Sequence, residues 1–219
     1  MNALSAISGA GPQQALVVGR VADLVTGRGV AGAVLTLAYD PTGAGSFAGL
    51  PARLGGRDDG WFVFHLAPTV LRLAGAAPVL RVSAIASGYT GASGEVAVSP
   101  ADLALEVDNV VLAGQPAALE RLHGAPFRID IDLAPLPVAL EGFVFQGGDP
   151  DNPIAGAQVA AFAPAGQSTN TAVDGAFRIA ALPVAAQVTI RVTAGGVDTD
   201  FPVRPDFSQR TNRAVFATT

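Results

Sequence analysis

Apolar and polar residues alternate along most of this chain in short runs separated by Gly and Pro. The clearest run is "FRIDIDL" (127–133), where Phe127, Ile129, Ile131 and Leu133 alternate with Arg128, Asp130 and Asp132. A period of two places one set on a buried face and the other in water, the mark of a half-exposed strand. Similar runs are "ALVVGRVAD" (15–23), "AVLTLAYD" (33–40), "WFVFHL" (61–66), "VLRVSAIA" (79–86), "LEGFVFQ" (140–146), "AQVAAFAP" (157–164), "AFRIAAL" (176–182), "VTIRVTA" (188–194) and "RAVFAT" (213–218). The dense stretch "LRLAGAAPVLRVSAIASG" (71–88) reads as buried strands because Arg72, Pro78 and Arg81 break it. Helical periodicity is confined to "PAALERLHG" (116–124), with Pro at its start and Gly at its end, which predicts one short helix near 116–123. Many short strands between turn signals predict an all-β chain of antiparallel sandwiches.

One local pattern occurs twice. "RDDGWFVF" (57–64) and "AVDGAFRI" (172–179) both set an Asp-Gly pair before an apolar-polar-apolar run. Around them the correspondence extends. Gly19 answers to Gly142, Val30-Ala31-Gly32-Ala33 to Ile154-Ala155-Gly156-Ala157, Phe62 to Phe177, and Pro68 to Pro183. A repeat at this scale implies a duplicated structural unit. Its two copies predict an N-terminal tail at 1–14, a first sandwich at 15–135 and a second at 136–219. The connector "APLPVA" (134–139) is short and Pro-containing, so a fixed relative orientation is expected. The Asp-Gly pair itself reads as folding chemistry: Gly supplies a positive φ, Asp bonds its own backbone, and the next Phe enters a core.

With those residues aligned, the pattern resembles the carboxypeptidase regulatory-like domain, a transthyretin (prealbumin)-type β-sandwich. The residues that carry the resemblance are Gly19-Arg20-Val21, Val30 with Gly32-Ala33, Asp58-Asp59-Gly60 before Phe62 and Phe64, Ala67-Pro68, and Gly88-Tyr89. In the second copy they are Gly142-Phe143-Val144, Ile154 with Gly156-Ala157, Asp174-Gly175 before Phe177 and Ile179, Leu182-Pro183, and Gly195-Gly196. Val197 stands where the family pattern has an aromatic residue. The resemblance implies two tandem seven-stranded Greek-key sandwiches and says nothing about their partner.

Composition narrows the function classes. Half the residues are apolar and 14% are charged, which is apolar for a globular chain. Still, no apolar stretch reaches the about 18–20 residues of a spanning helix. The net charge is −5 and the basic residues are all Arg, scattered singly. That pattern offers no stripe for nucleic acid. With no Lys, a Lys–Asn isopeptide crosslink of the kind found in pilin and adhesin sandwiches cannot form. With no Cys there is no disulfide and no thiolate ligand. The opening stretch "MNALSAISGAGPQQ" lacks a basic n-region and has a weak apolar run. It predicts cytoplasmic synthesis without a signal peptide, followed by incorporation into a virion-like or secreted particle.

No catalytic constellation stands out. His65 and His123 have no Ser or carboxylate placed as a motif partner. The acidic turn "GGDPDNP" (147–153) has the composition of a turn and lacks calcium-loop spacing. No enzyme activity, cofactor or metal is therefore expected. The first copy carries a long Gly-rich loop, 40–57, between its second strand and its Asp-Gly turn; it is expected to be flexible, and long loops on rigid scaffolds often bind. Its Phe47, Leu50, Arg53 and Arg57, together with Trp61, are the expected partner contacts. The expected function is a non-catalytic docking or spacer module within a larger protein assembly, a homo-oligomer included, such as a phage tail-like or contractile injection particle. The alternative is an extracellular or periplasmic glycan- or peptide-binding accessory module.

Overall fold

A computed structural model describes residues 13–67, 78–112 and 115–218. Most of the expected N-terminal tail, Pro68 and the first part of the 71–88 stretch lie outside the described residues. The chain divides into two compact units, one ending at Leu133 and one beginning at Ala134. Every regular element among the described residues is a strand.

The first unit contains β1 (Gln14–Asp23), β2 (Val34–Asp40), β3 (Ala48–Gly49), β4 (Arg53–Gly56), β5 (Trp61–Leu66), β6 (Val79–Ile85), β7 (Ala92–Ala97), β8 (Leu105–Leu112), β9 (Gln115–Leu122), β10 (Phe127–Arg128) and β11 (Ile131–Leu133). One sheet runs β10-β1-β5-β4 with β11 also on β1, and another runs β3-β2-β6-β7. The second unit contains β12 (Ala139–Gln146), β13 (Gln158–Ala163), β14 (Ser168–Asn170), β15 (Ala176–Ile179), β16 (Val188–Ala194), β17 (Val197–Val203) and β18 (Thr211–Thr218). Its sheets run β15-β12-β18 and β14-β13-β16-β17. The same order therefore occurs twice: β5-β1-β10/β11 matches β15-β12-β18, and β3-β2-β6-β7 matches β14-β13-β16-β17. In both units the first strand pairs parallel with the last.

Each pair of sheets encloses its own core. In the first unit Val17, Val21, Phe62 and Phe64 of one sheet pack with Leu37, Leu80 and Val82 of the other. In the second, Leu140, Val144, Phe177 and Phe216 pack with Val159, Val188, Ile190 and Val192. Two-layer β-sandwiches are the result, and the period-two alternation is what builds them.

The repeated residues form one device. Val21 N–H donates to Gly60 O at 2.9 Å while Val30 N–H donates to Val21 O at 3.0 Å. The second unit repeats this with Val144, Gly175 and Ile154 at the same distances, 2.9 and 3.0 Å. The Asp-Gly turn and the apolar-x-Gly-Ala turn are thus both clamped to the backbone N–H and C=O of a single valine, side by side. Gly60 and Gly175 take φ of 83° and 76°, and a Cβ there would meet the valine carbonyl at 2.3 and 2.5 Å. At Gly19 and Gly142 the reason for Gly is different. A Cβ would lie 1.8 Å from Ile129 O and 1.7 Å from Ala214 O, beside the rings of Phe62 and Phe177.

Two expectations need correction. Segment 116–123, read as a helix, is extended: as far as Leu122 it belongs to strand β9, in an antiparallel hairpin with β8. The partner decides it: Glu106 lies opposite Arg121, whose guanidinium is 2.5 Å from Glu106 and 2.8 Å from Asp108. Pro116 sits opposite Val111 near the hairpin tip, where a two-stranded ribbon tolerates a missing N–H. Leu122 is buried, and its N–H donates to Gln14 Oε1 at 2.8 Å. Loop 40–57, expected to be flexible, is folded onto the sandwich. The Asp40 carboxylate is fully buried and accepts from Thr42 N–H, Thr42 Oγ1, Gly45 N–H and Ser46 N–H. Beyond it β3 pairs with β2, and β4 pairs with β5.

Candidate interaction surface

The solvent face of the β15-β12-β18 sheet is where the second unit is least like an ordinary exposed sheet. Leu140 and Val144 of β12 point into the core, so Glu141, Phe143 and Phe145 point out. Register aligns them into rungs: Arg178–Glu141–Arg213, Ala176–Phe143–Val215, and Phe145–Ala217. Phe143 is 41% and Val215 is 65% exposed. The Phe143 and Phe145 rings stack with centroids 5.8 Å apart and planes 8° apart. Beside them lies an open groove of about 830 Å³, to which Thr169 and Asn170 of β14 contribute polar atoms. The floor is apolar. One end carries the Arg178–Glu141 ion pair at 2.5 Å. Arg213 flanks it with no carboxylate in ion-pair range among the described residues.

The equivalent face of the first unit is charged and aromatic, with Arg128 paired to Asp130. It bears Arg128, Val18, Val63 and Gly55 on one rung and Arg20 with Trp61 on the next. Trp61 is 39% exposed, and the Arg128 guanidinium lies 5.8 Å from its ring. Because Gly55 and Gly56 carry no side chain, a hollow of about 460 Å³ opens beside Trp61, with Val18 and Val63 on its wall.

The five expected contact residues do not make one surface. Arg53, Arg57 and Trp61 are exposed on β4, β5 and the turn between them. Phe47 is half-buried on the opposite sheet under the Arg81 guanidinium, 3.5 Å from its ring centre. Leu50 is a core residue, 8% exposed, and its N–H donates to Leu37 O. It is not available to a partner.

Each outer sheet also carries an aromatic–Arg–carboxylate ladder. In the first unit Phe47 lies under Arg81, which is paired with Glu95 at 2.7 Å. In the second, Arg191 lies 3.4 Å over Phe162 and holds Asp200 through two bonds of 2.7 and 2.9 Å. The hydrogen bond from Arg191 keeps the Asp200 carboxyl below the usual aspartate range. Such ladders satisfy themselves and leave no reactive group.

No protein-family model matches the chain, and no curated protein matches it in sequence. Solved structures similar to it include the TIE protein of Bacillus anthracis, at 11% identity and TM-score 0.34, over 94% of this chain and 34% of that one. A streptococcal ancillary pilin follows at 12% identity and TM-score 0.28, over 91% of this chain and 61% of that one. The major pilin subunit of Bacillus cereus is 9% identical with TM-score 0.28, over 94% and 99% of the two chains. The chain thus spans about a third of the first and under two thirds of the second. All three TM-scores are too low to bear on its role.

Chemically, these surfaces offer apolar, aromatic and charged contacts of the kind that bind a partner. Among the described residues no group of three His, Asp or Glu side chains could hold a metal. His65 sits on the outer face of β5 opposite Ala15 and Arg53. His123 Nδ1 lies 2.5 Å from Glu106 Oε1, and that contact, outweighing burial and helped by Arg121, holds the Glu106 carboxyl below its usual range. Among the described residues no Ser or Thr hydroxyl is hydrogen-bonded to either. No described helix is long and apolar enough to cross a membrane.

The sequence reading passed over Phe143, Phe145 and Val215. A signal for them existed. In "LEGFVFQ" three apolar residues run consecutively at 143–145, and in "RAVFAT" Val215 precedes Phe216. A strand with apolar residues on both faces is either covered on both or offers one to a partner.

Proposed function

We propose that this chain is a non-catalytic interaction module that docks within a larger protein assembly, using its tandem domains, 15–135 and 136–219, as scaffold and spacer. The observation that carries the reading is the outward apolar rung Ala176–Phe143–Val215 beside its groove, fixed on a hydrogen-bonded sheet and rimmed by Arg178, Glu141 and Arg213. An apolar floor with a polar rim is the anatomy of a protein-binding patch. The strand order supports the carboxypeptidase regulatory-like assignment, since in each copy the first strand lies between the strand that follows the Asp-Gly turn and the last strand. A phage tail-like or contractile injection particle is the assembly class we put forward, on the strength of that family resemblance.

The test is sedimentation of an extract from native cells. The wild-type chain is expected in a fraction far heavier than its 22.0 kDa, and Phe143→Glu is expected to release it without changing its unfolding midpoint. A wild-type chain that migrates alone would overturn the reading.

A second reading is favoured by Trp61 beside its glycine-floored hollow, a platform suited to a sugar ring or a peptide side chain. Trp61 is the chain's one tryptophan. Its fluorescence therefore reports directly, and saturable quenching by oligosaccharides or short peptides would select this module over the first.

A further inference from the structure

β18 is the last strand of its sheet, with no neighbour on its far side among the described residues. Unpaired edges invite association, and proteins usually blunt them with shortness, charge, proline or a bulge. The other sandwich edges are blunted in these ways. β3, β14, β15 and β4 are two, three, four and four residues long. β17 carries Asp198, Asp200 and Pro202. β7 is overlaid at Gly94 by Ile129, whose Cγ2 would lie 2.6 Å from a Cβ there. In the first unit the strand equivalent to β18 is broken into β10 and β11, and Asp130 between them accepts from Arg20 N–H. Of these devices β18 has only a single charge, Arg213. It is eight residues long, has no proline, and holds an unbroken register with β12 from Thr211 to Thr218.

The orientation of its free groups follows from two hydrogen bonds. Ala139 N–H donates to Arg210 O, and Gly147 N–H donates to Thr218 O. Even-numbered carbonyls therefore face β12, and the backbone groups of Thr211, Arg213, Val215 and Ala217 face outward. The side chains of those last three also sit on the exposed apolar face.

We infer that this edge pairs with the same edge of a second copy, antiparallel and centred on Val215. Antiparallel strands bond through pairs of outward-facing residues, so Val215 meets the second copy's Val215 and Arg213 meets its Ala217. The pattern is self-complementary, as a two-fold interface requires. It keeps the two Arg213 side chains four positions apart, about 13 Å along the strand. Each guanidinium then extends across the partner's small Ala217 toward its stacked Phe143–Phe145 pair, a cation beside exposed aromatic rings. The Phe143–Val215 rung continues without interruption into its copy, joining two sheets into one.

The chain has no Cys, so single cysteines report on the pairing cleanly. In full-length protein, light scattering across a concentration series should give twice the 22.0 kDa chain mass. Val215→Cys should oxidise to a covalent dimer, because a hydrogen-bonded antiparallel pair sets Cα atoms about 5.5 Å apart, within disulfide reach. Arg213→Cys and Ala217→Cys should not. Val215→Pro, which removes an outward N–H, and Val215→Lys, which sets two charges on the axis, should each return the single-chain mass with an unchanged β-rich spectrum. A single-chain mass at every concentration would overturn the inference. So would a dimer that survives both substitutions, or equal crosslinking at 213 and 215. A monomer leaves docking to a different protein intact, since that reading is tested separately by sedimentation of native extract.

Discussion

Glycine is where single residues matter most in this chain. Gly142 is required because the Ala214 carbonyl and the Phe177 ring occupy the space a Cβ would need. Gly142→Ala must push β18 or Phe177 aside, at a cost of about 3 kcal/mol or more. Gly156, by contrast, has open space around it and a φ of 70°, so Gly156→Ala should cost only about 1–2 kcal/mol. Urea titration of the two variants tests the difference, and equal losses would contradict the close-approach explanation. Asp40 makes the second prediction at this scale. The Thr42 N–H bond, outweighing burial and helped by Gly45 and Ser46, holds its carboxyl below the ordinary aspartate value. A lowered folded pKa means the stabilisation is complete above the unfolded value of about 3.9 and disappears as pH falls through the folded one. Amide exchange at Gly45 and Ser46 should therefore accelerate in that acid window relative to core amides. In Asp40→Asn it should already be fast at neutral pH, with no further acid step.

At the scale of elements, most of the fold was legible. Alternation in "FRIDIDL" and "WFVFHL" reports which side chains are buried, because burial of one face is what sets a strand's register. The duplicated Asp-Gly and Gly-Ala turns were legible because positive φ restricts the residue type. The 116–123 segment was not, since its conformation is decided by Glu106 and Asp108 on the partner strand, and those contacts are non-local. Loop 40–57 misled for a related reason: its order comes from one buried carboxylate, and nothing local marks Asp40 as different from a solvated turn residue. The site was less legible than the fold. Exposure of Phe143 depends on what covers the second face of its strand, which one strand's sequence does not record. Arg121→Glu offers a check on the β8–β9 hairpin, placing a third carboxylate among Glu106 and Asp108. Exposed pairs contribute only about 0–1 kcal/mol, so global stability should barely change while exchange within 105–122 accelerates.

For the whole molecule, the two cores share no residue. Leu80→Ala and Leu140→Ala should each cost about 2–5 kcal/mol in the unit that holds them. The loss of exchange protection should stay on that unit's strands. The same duplication explains how one chain carries two different outer faces on one framework. The sheet containing β1 presents Trp61 and Arg128, while the sheet containing β12 presents Phe143 and Val215, with the turn device common to both. Function on such a scaffold resides in the outward residues, which the fold leaves free to vary.

The most direct test of the docking account is site-specific labelling. Phe143→Cys and, as a control on the other sheet of the same unit, Val197→Cys, which replaces a residue 58% exposed, would each be the only thiol in the chain. Thiol labelling rates would be compared between purified protein and the native assembly. The account predicts that position 143 labels readily in the purified chain and is protected in the assembly, while position 197 labels at similar rates in both. Equal labelling of position 143 in the two settings would mean that the apolar face stays uncovered, and would contradict its role as the docking surface.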